Sequence, residues 1–208
     1  MQKSSRATYY ARRVAGYTKH NAALLVFAVL FLFGVLCATL AFGLLEPQPR
    51  QYITDIATDF ANTRLTAQLQ RNFVSAASSA LLFPAVMLIC GFCAVAQPII
   101  AAAPFVRGLG VGFMLAALYA HYGASAVGFG LLYIVSVLPV SAALMLCAVE
   151  SLRLSAGIFS AMRTGERSAF YPVRRYLAKY LAVAVLCLLS SAMEAILYEV
   201  FANYVVLG

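Results

Sequence analysis

Along most of this chain the apolar positions show no helical or strand alternation but run unbroken, punctuated by a few short polar stretches. Residues 22–45 carry no charge. At 1.5 Å per residue a helix of that length reaches about 36 Å, against a hydrocarbon core of roughly 30 Å. Residues 72–106 form a second uncharged run, enough for one crossing and a loop, with Pro84 inside it and Pro98 and Pro104 expected to end it and open the next span. Residues 108–149 form a third, far too long for one crossing, so a turn is expected at His121-Tyr122-Gly123. Residues 140–162 and 176–204 complete the set. The expected fold is an all-α polytopic integral membrane protein with five transmembrane helices and one membrane domain over 1–208.

The segment at about 124–139 is the irregular one. Its 15 residues up to Leu138 are short for a crossing, and Pro139 breaks the helix pattern. It reads either as a half-depth re-entrant helix or as the first part of one long helix broken at Pro139. In either case it must be covered by protein, because irregular backbone is not tolerated against lipid.

The polar stretches carry the topology. Residues 1–20 form a basic leader with Lys3, Arg6, Arg12, Arg13 and Lys19, expected as a short amphipathic helix at the inner headgroup level. The loop 163–179 holds Arg163, Arg167, Arg174, Arg175 and Lys179 against Glu166. Both are expected on the cytoplasmic side, with the N-terminus inside and the C-terminus outside. Residues 46–72 are nearly charge-balanced and are expected outside. There Ile53, Ile56 and Phe60 follow helical spacing, so an amphipathic helix lying on the outer surface and bending into the next span is expected.

Composition agrees with lipid as the solvent. Of 208 residues 63% are hydrophobic and 11% charged, and mean hydropathy is +0.88, against about 25% charge in a typical soluble chain. The net charge of +8 sits in the loops beside apolar runs, so it reads as a membrane-topology signal, not a nucleic-acid surface. The five cysteines all lie in apolar stretches, and Cys90-x-x-Cys93 stands alone, without a second pair or clustered histidine to make a metal site. No cleavable signal peptide is expected, because the first apolar run is long and its C-terminal flank, Glu46-Pro47-Gln48-Pro49, is not an A-x-A site. The two histidines, His20 and His121, are expected on opposite sides of the membrane, and P-loop, HExxH and GxSxG motifs are absent. No cofactor, metal or catalytic residue is expected.

Four polar or small-residue features remain. Gly108 and Gly112 form a GxxxG, a close-packing face either within the chain or between two copies, which makes a homodimer an expectation. Arg107 is expected about one turn into the third span, near the inner interface. Glu150 is an intramembrane acid with Arg153 one turn on, and Arg107 as an alternative partner; a polar clamp or a proton relay is the role of such a group. Glu194 and Glu199, towards the outer end of the last span, are expected to form an acidic rim for a basic partner. With Ile53, Ile56 and Phe60, Glu199 is a candidate partner-binding residue.

Several pieces together resemble the stage II sporulation protein M family. They are the leader running through Lys19-His20-Asn21 into Phe27-Ala28-Val29-Leu30-Phe31-Leu32-Phe33-Gly34-Val35, the outer amphipathic segment, and Phe105-Val106-Arg107-Gly108-Leu109-Gly110-Val111-Gly112-Phe113, followed by Tyr122-Gly123 and Ile134-Val135-Ser136-Val137-Leu138-Pro139. The similarity is strong over 105–139 and loose elsewhere. Family members often have Gln-Asn after the proline, where this chain has Val140-Ser141. The resemblance implies a non-enzymatic scaffold in the mother-cell septal membrane of a sporulating bacterium. Its partners would be peptidoglycan hydrolases, a lytic transglycosylase and an amidase/endopeptidase, which thin the septal wall for engulfment. The alternative is a permease or transporter subunit with a polar site around the broken helix and Glu150. A lipid-modifying enzyme is a third, disfavoured by the scarcity of acid-base groups.

Overall fold

The computed structural model describes the backbone over 2–164 and 173–201, and the side chains over 22–163 and 173–201. The side chains of the basic leader, the middle of the 163–179 loop and the end of the last expected span lie outside the described residues. Six α-helices follow in order: α1 Gln2–Leu44, α2 Pro47–Thr66, α3 Leu69–Gly91, α4 Gln97–Tyr122, α5 Ala126–Thr164 and α6 Val173–Phe201. By length and composition four stretches suffice to cross a membrane: Ala22–Leu44, Leu69–Gly91, Gln97–Arg163 and Val173–Phe201. The third turns back on itself and supplies both α4 and α5, so five apolar helices stand together among the described residues. The protein is an all-α polytopic membrane protein.

The breaks are local in origin. Glu46 is extended, and Pro47 and Pro49 fall in the first turn of α2, where a missing N–H costs nothing. Pro98 opens α4 in the same way. Gly123, at φ 56°, adopts the left-handed conformation that ends α4, and a 3₁₀ turn over Gly123–Ser125 leads into α5.

Three expectations are corrected by the helix boundaries, and one open choice is decided. The leader is not a separate helix: α1 runs through from Gln2, since residues 14–22 contain no proline and one glycine. Residues 46–72 are not one bending helix, because Ala67 and Gln68 are extended between α2 and α3. Pro104 lies inside α4, so Arg107 stands ten residues, about 15 Å, from the start of that helix instead of one turn in. Of the two readings of 124–139, the structure gives the long helix: α5 is one helix of 39 residues with Pro139 inside it. A proline costs one ladder hydrogen bond there, and the surrounding helices hold the segment in place. One turn earlier, Ser136 Oγ donates to Leu132 O at 3.0 Å.

Packing divides the bundle lengthwise. At one end Phe42, Ala57, Ala61, Leu118, Phe129 and Tyr198 join α1, α2, α4, α5 and α6. Towards the other end Met87, Ile100, Leu144, Leu154, Tyr176 and Tyr180 join α3 to α6. Phe31, Val111 and Val137 form a smaller cluster of α1, α4 and α5. Facing outward are Leu25, Val29, Leu32, Leu36 and Leu40 on α1 and Leu181, Val185, Leu189 and Ile196 on α6. Such stripes along one helix face suit lipid and would be an aggregation hazard in water.

Helices α1 and α4 meet backbone to backbone. A Cβ on Gly108 would collide with the Phe31 carbonyl, and one on Gly34 with the Phe105 carbonyl, so the two backbones touch with nothing between them.

Candidate functional site

Two polar clusters stand in this apolar frame, one towards each end. The first gathers the end of α2, the start of α3 and the far part of α6. Arg64 is 4% exposed; its Nη1 donates to Asn72 O at 2.9 Å and lies 3.5 Å from Glu194 Oε1, a side chain 13% exposed. Asn72 Nδ2 answers by donating to Arg64 O at 2.8 Å and Ala67 O at 3.2 Å. The last carbonyls of a helix have no partner in the helix itself, and Asn72 supplies one. Phe60 covers the guanidinium, with its ring centroid 5.0 Å away. Close by, Tyr198 packs on Phe129 at 5.5 Å and is 1% exposed, and its hydroxyl has no hydrogen-bond partner among the described residues.

The second cluster joins α3, α5 and α6. Glu150 Oε1 lies 2.6 Å from Lys179 Nζ and 3.3 Å from Arg153 Nη1. The carboxylate side chain is 7% exposed, while those of Arg153 and Lys179 are 38% and 48% exposed, so the cations reach outward from a buried anchor. One residue along α5, Ser151 Oγ donates to Met87 O at 2.9 Å and stands 3.1 Å from Tyr176 Oη and 2.5 Å from Tyr180 Oη. Tyr176 in turn donates to Leu88 O at 3.0 Å, and Ser155 donates to Cys93 O at 2.7 Å. Met87 and Leu88 lie in the last turns of α3, where the final carbonyls lack partners within the helix, and Cys93 lies in the turn that follows, so these hydroxyls tie the end of α3 to α5 and α6.

The structure brings Glu150 and Arg153 together as the helical spacing implies, and adds Lys179, which lies 29 residues further along the chain. Arg107 takes no part: its guanidinium sits 5.5 Å from the Phe83 ring centroid. Glu194 does not stand on an acidic rim but turns inward to Arg64, while Glu199 is exposed. The chain matches no family model, no curated protein and no solved structure. Its functional reading therefore rests on these clusters and on the surfaces they hold.

Arg64 is the residue that the charge pattern concealed. It extends the face of Ile53, Ala57 and Phe60 by one more turn, so the periodicity that marks the apolar side of α2 also runs into a buried arginine. On that face Ile53 and Phe60 pack against the core, whereas Ile56 is 53% exposed and stands with Tyr52 on the outward side. Glu199 borders a groove of about 590 Å³ with Gln68, Leu69, Phe73 and Ile196. Gly108 and Gly112 are filled by α1 within the same chain, so they offer no face to a second copy. Among the described residues no three His, Cys, Asp or Glu side chains group as metal ligands.

Proposed function

We propose that this protein is a non-enzymatic membrane scaffold that presents α2 and the adjoining ends of α3 and α6 as a docking platform. One observation carries the reading: α2 is clamped to the bundle through Arg64, Asn72 and Glu194, and holds Tyr52 and Ile56 outward on a rigid base. A platform of that kind places a partner at a fixed height above the bilayer. The partners proposed are peptidoglycan hydrolases on the outer face of a bacterial cytoplasmic membrane. The support for them is the resemblance over 105–139, which also points to the septal membrane during engulfment. The proposed orientation, N-terminus inside and C-terminus outside, follows the basic residues. Threading five helices that way puts 11 of 15 Lys and Arg inside or at the inner edge, leaves Arg50, Arg64 and Arg71 outside, and sets Arg107 within the α4 span.

Affinity purification from membranes tests this. Replacing 46–72 by a linker would unfold the clamp, so the informative variants are Tyr52→Ser, Ile56→Ser and Glu199→Gln, which alter exposed side chains alone. Capture of hydrolases lost in these variants supports the platform; capture unchanged in all three removes it.

A second reading, a permease subunit, is favoured by the unpartnered Tyr198 hydroxyl beside the Arg64–Glu194 pair, since buried polar groups of this kind line transport sites. Flux into liposomes that disappears in Glu194→Gln or Glu150→Gln would establish it in place of the scaffold.

A further inference from the structure

Between α5 and α6 a cleft of about 260 Å³ opens sideways, out of the bundle. Its apolar wall is Leu146, Cys147, Ala182 and Val183, and its mouth is Glu150, Lys179 and Tyr180. Leu146 and Ala182 are exposed, so hydrocarbon rather than protein meets this wall. The mouth lies about one and a half turns along α5 from Ser155, which bonds the α3–α4 turn at Cys93, so it stands towards that end of the bundle. Glu150 draws Lys179 and Arg153 to the rim, and these three side chains sum to one positive charge. Arg175 lies one turn before Lys179 on the same face of α6, and is exposed.

We propose that this cleft is a binding site for an anionic phospholipid, with the phosphate on Lys179, Arg153 and Arg175 and an acyl chain along Leu146, Ala182 and Val183. An apolar wall beneath a cationic rim matches a lipid's own division into tail and charged head. Glu150 serves as a positioning residue that holds the cations at the mouth. Another cleft on α6, of about 420 Å³, provides the contrast: Leu81, Pro84, Ala85, Leu88, Leu177, Tyr180, Leu181 and Ala184 line it, with no charge. That cleft receives acyl chains without regard to headgroup. The assignment stands whether or not α2 docks hydrolases.

The full chain, purified in detergent with equal phosphatidylglycerol and phosphatidylcholine, is analysed by native mass spectrometry. Retained phosphatidylglycerol should exceed phosphatidylcholine by about fivefold for each cation engaged, the ratio expected of one Lys or Arg near a lipid headgroup. Arg153→Gln with Arg175→Gln leaves Lys179 alone against the Glu150 carboxylate, so the two lipids should come close to parity. Ala182→Phe, which keeps every charge and fills the cleft, should reduce the retained phosphatidylglycerol, whereas Ala184→Phe in the uncharged cleft should leave the preference intact. Inorganic phosphate in excess should not displace the lipid. Equal retention by the unaltered protein, a preference that survives both the double variant and Ala182→Phe, or displacement by phosphate alone would each overturn the assignment.

Discussion

Replacing Gly108 by alanine tests the deepest claim about how this bundle closes. The added Cβ would run into the Phe31 carbonyl oxygen, and would lie 3.0 Å from the Phe31 carbonyl carbon and 3.1 Å from Val35 N. Non-bonded carbon atoms settle at about 3.5–4.0 Å, so α1 must retreat by roughly 1 Å or bend. What it strikes is helix backbone, which has no rotamer to escape into. Overpacking of that kind costs about 1–3 kcal/mol. Two residues on, the same helix supplies its own control, because a Cβ on Gly110 meets nothing within 4 Å. There alanine gains the helix-propensity difference of about 0.8–1.0 kcal/mol. Both substitutions gain that propensity term, so they should differ by the overpacking cost alone, about 1–3 kcal/mol, or about 5- to 150-fold in the unfolding equilibrium. Titration from mild detergent into sodium dodecyl sulfate, followed by reaction of buried Cys147 and Cys187 with a thiol dye, measures that difference. If both alanine variants unfold at the same detergent fraction, backbone contact between α1 and α4 does not hold the fold.

The same titration separates the two charge clusters. Arg64→Ala or Glu194→Gln leaves a buried partner uncompensated and should cost about 3–5 kcal/mol; a loss under 1 kcal/mol would mean the pair is hydrated. Glu150→Gln should cost about 1 kcal/mol or less, since the cations it faces reach solvent or headgroups; a penalty matching that of Glu194→Gln would contradict this. Ser151→Ala removes the hydroxyl shared by Met87 O, Tyr176 and Tyr180 and should cost about 1–3 kcal/mol; no effect would show that water replaces it. In folded protein Cys93 should react with a thiol reagent much faster than Cys147 or Cys187; comparable rates would refute the burial of the last two.

Much of the architecture follows from short stretches of sequence, because apolar runs of sufficient length, prolines in first turns and a glycine at Gly123 act on the backbone within a few residues. The spans, the α4–α5 turn and the Glu150–Arg153 pairing are of this kind. Tertiary packing decided the others. Whether Pro104 and Pro139 end a helix or sit inside one depends on neighbouring helices that hold the segment, and no local signal reports them. Arg64 with Glu194, and Glu150 with Lys179, meet across helices far apart in the chain, so charge counts alone assigned Glu194 to a rim and left Lys179 in a loop. The glycines of α4 announce a close approach in their spacing, yet α1 is named as the partner only by packing, where Gly34 presents a second backbone to Gly108. A membrane supplies the reason: lipid satisfies apolar surface at any position along a helix, so hydropathy selects which segments are buried. Which helix meets which is left to backbone contact and to buried charges that must find one another.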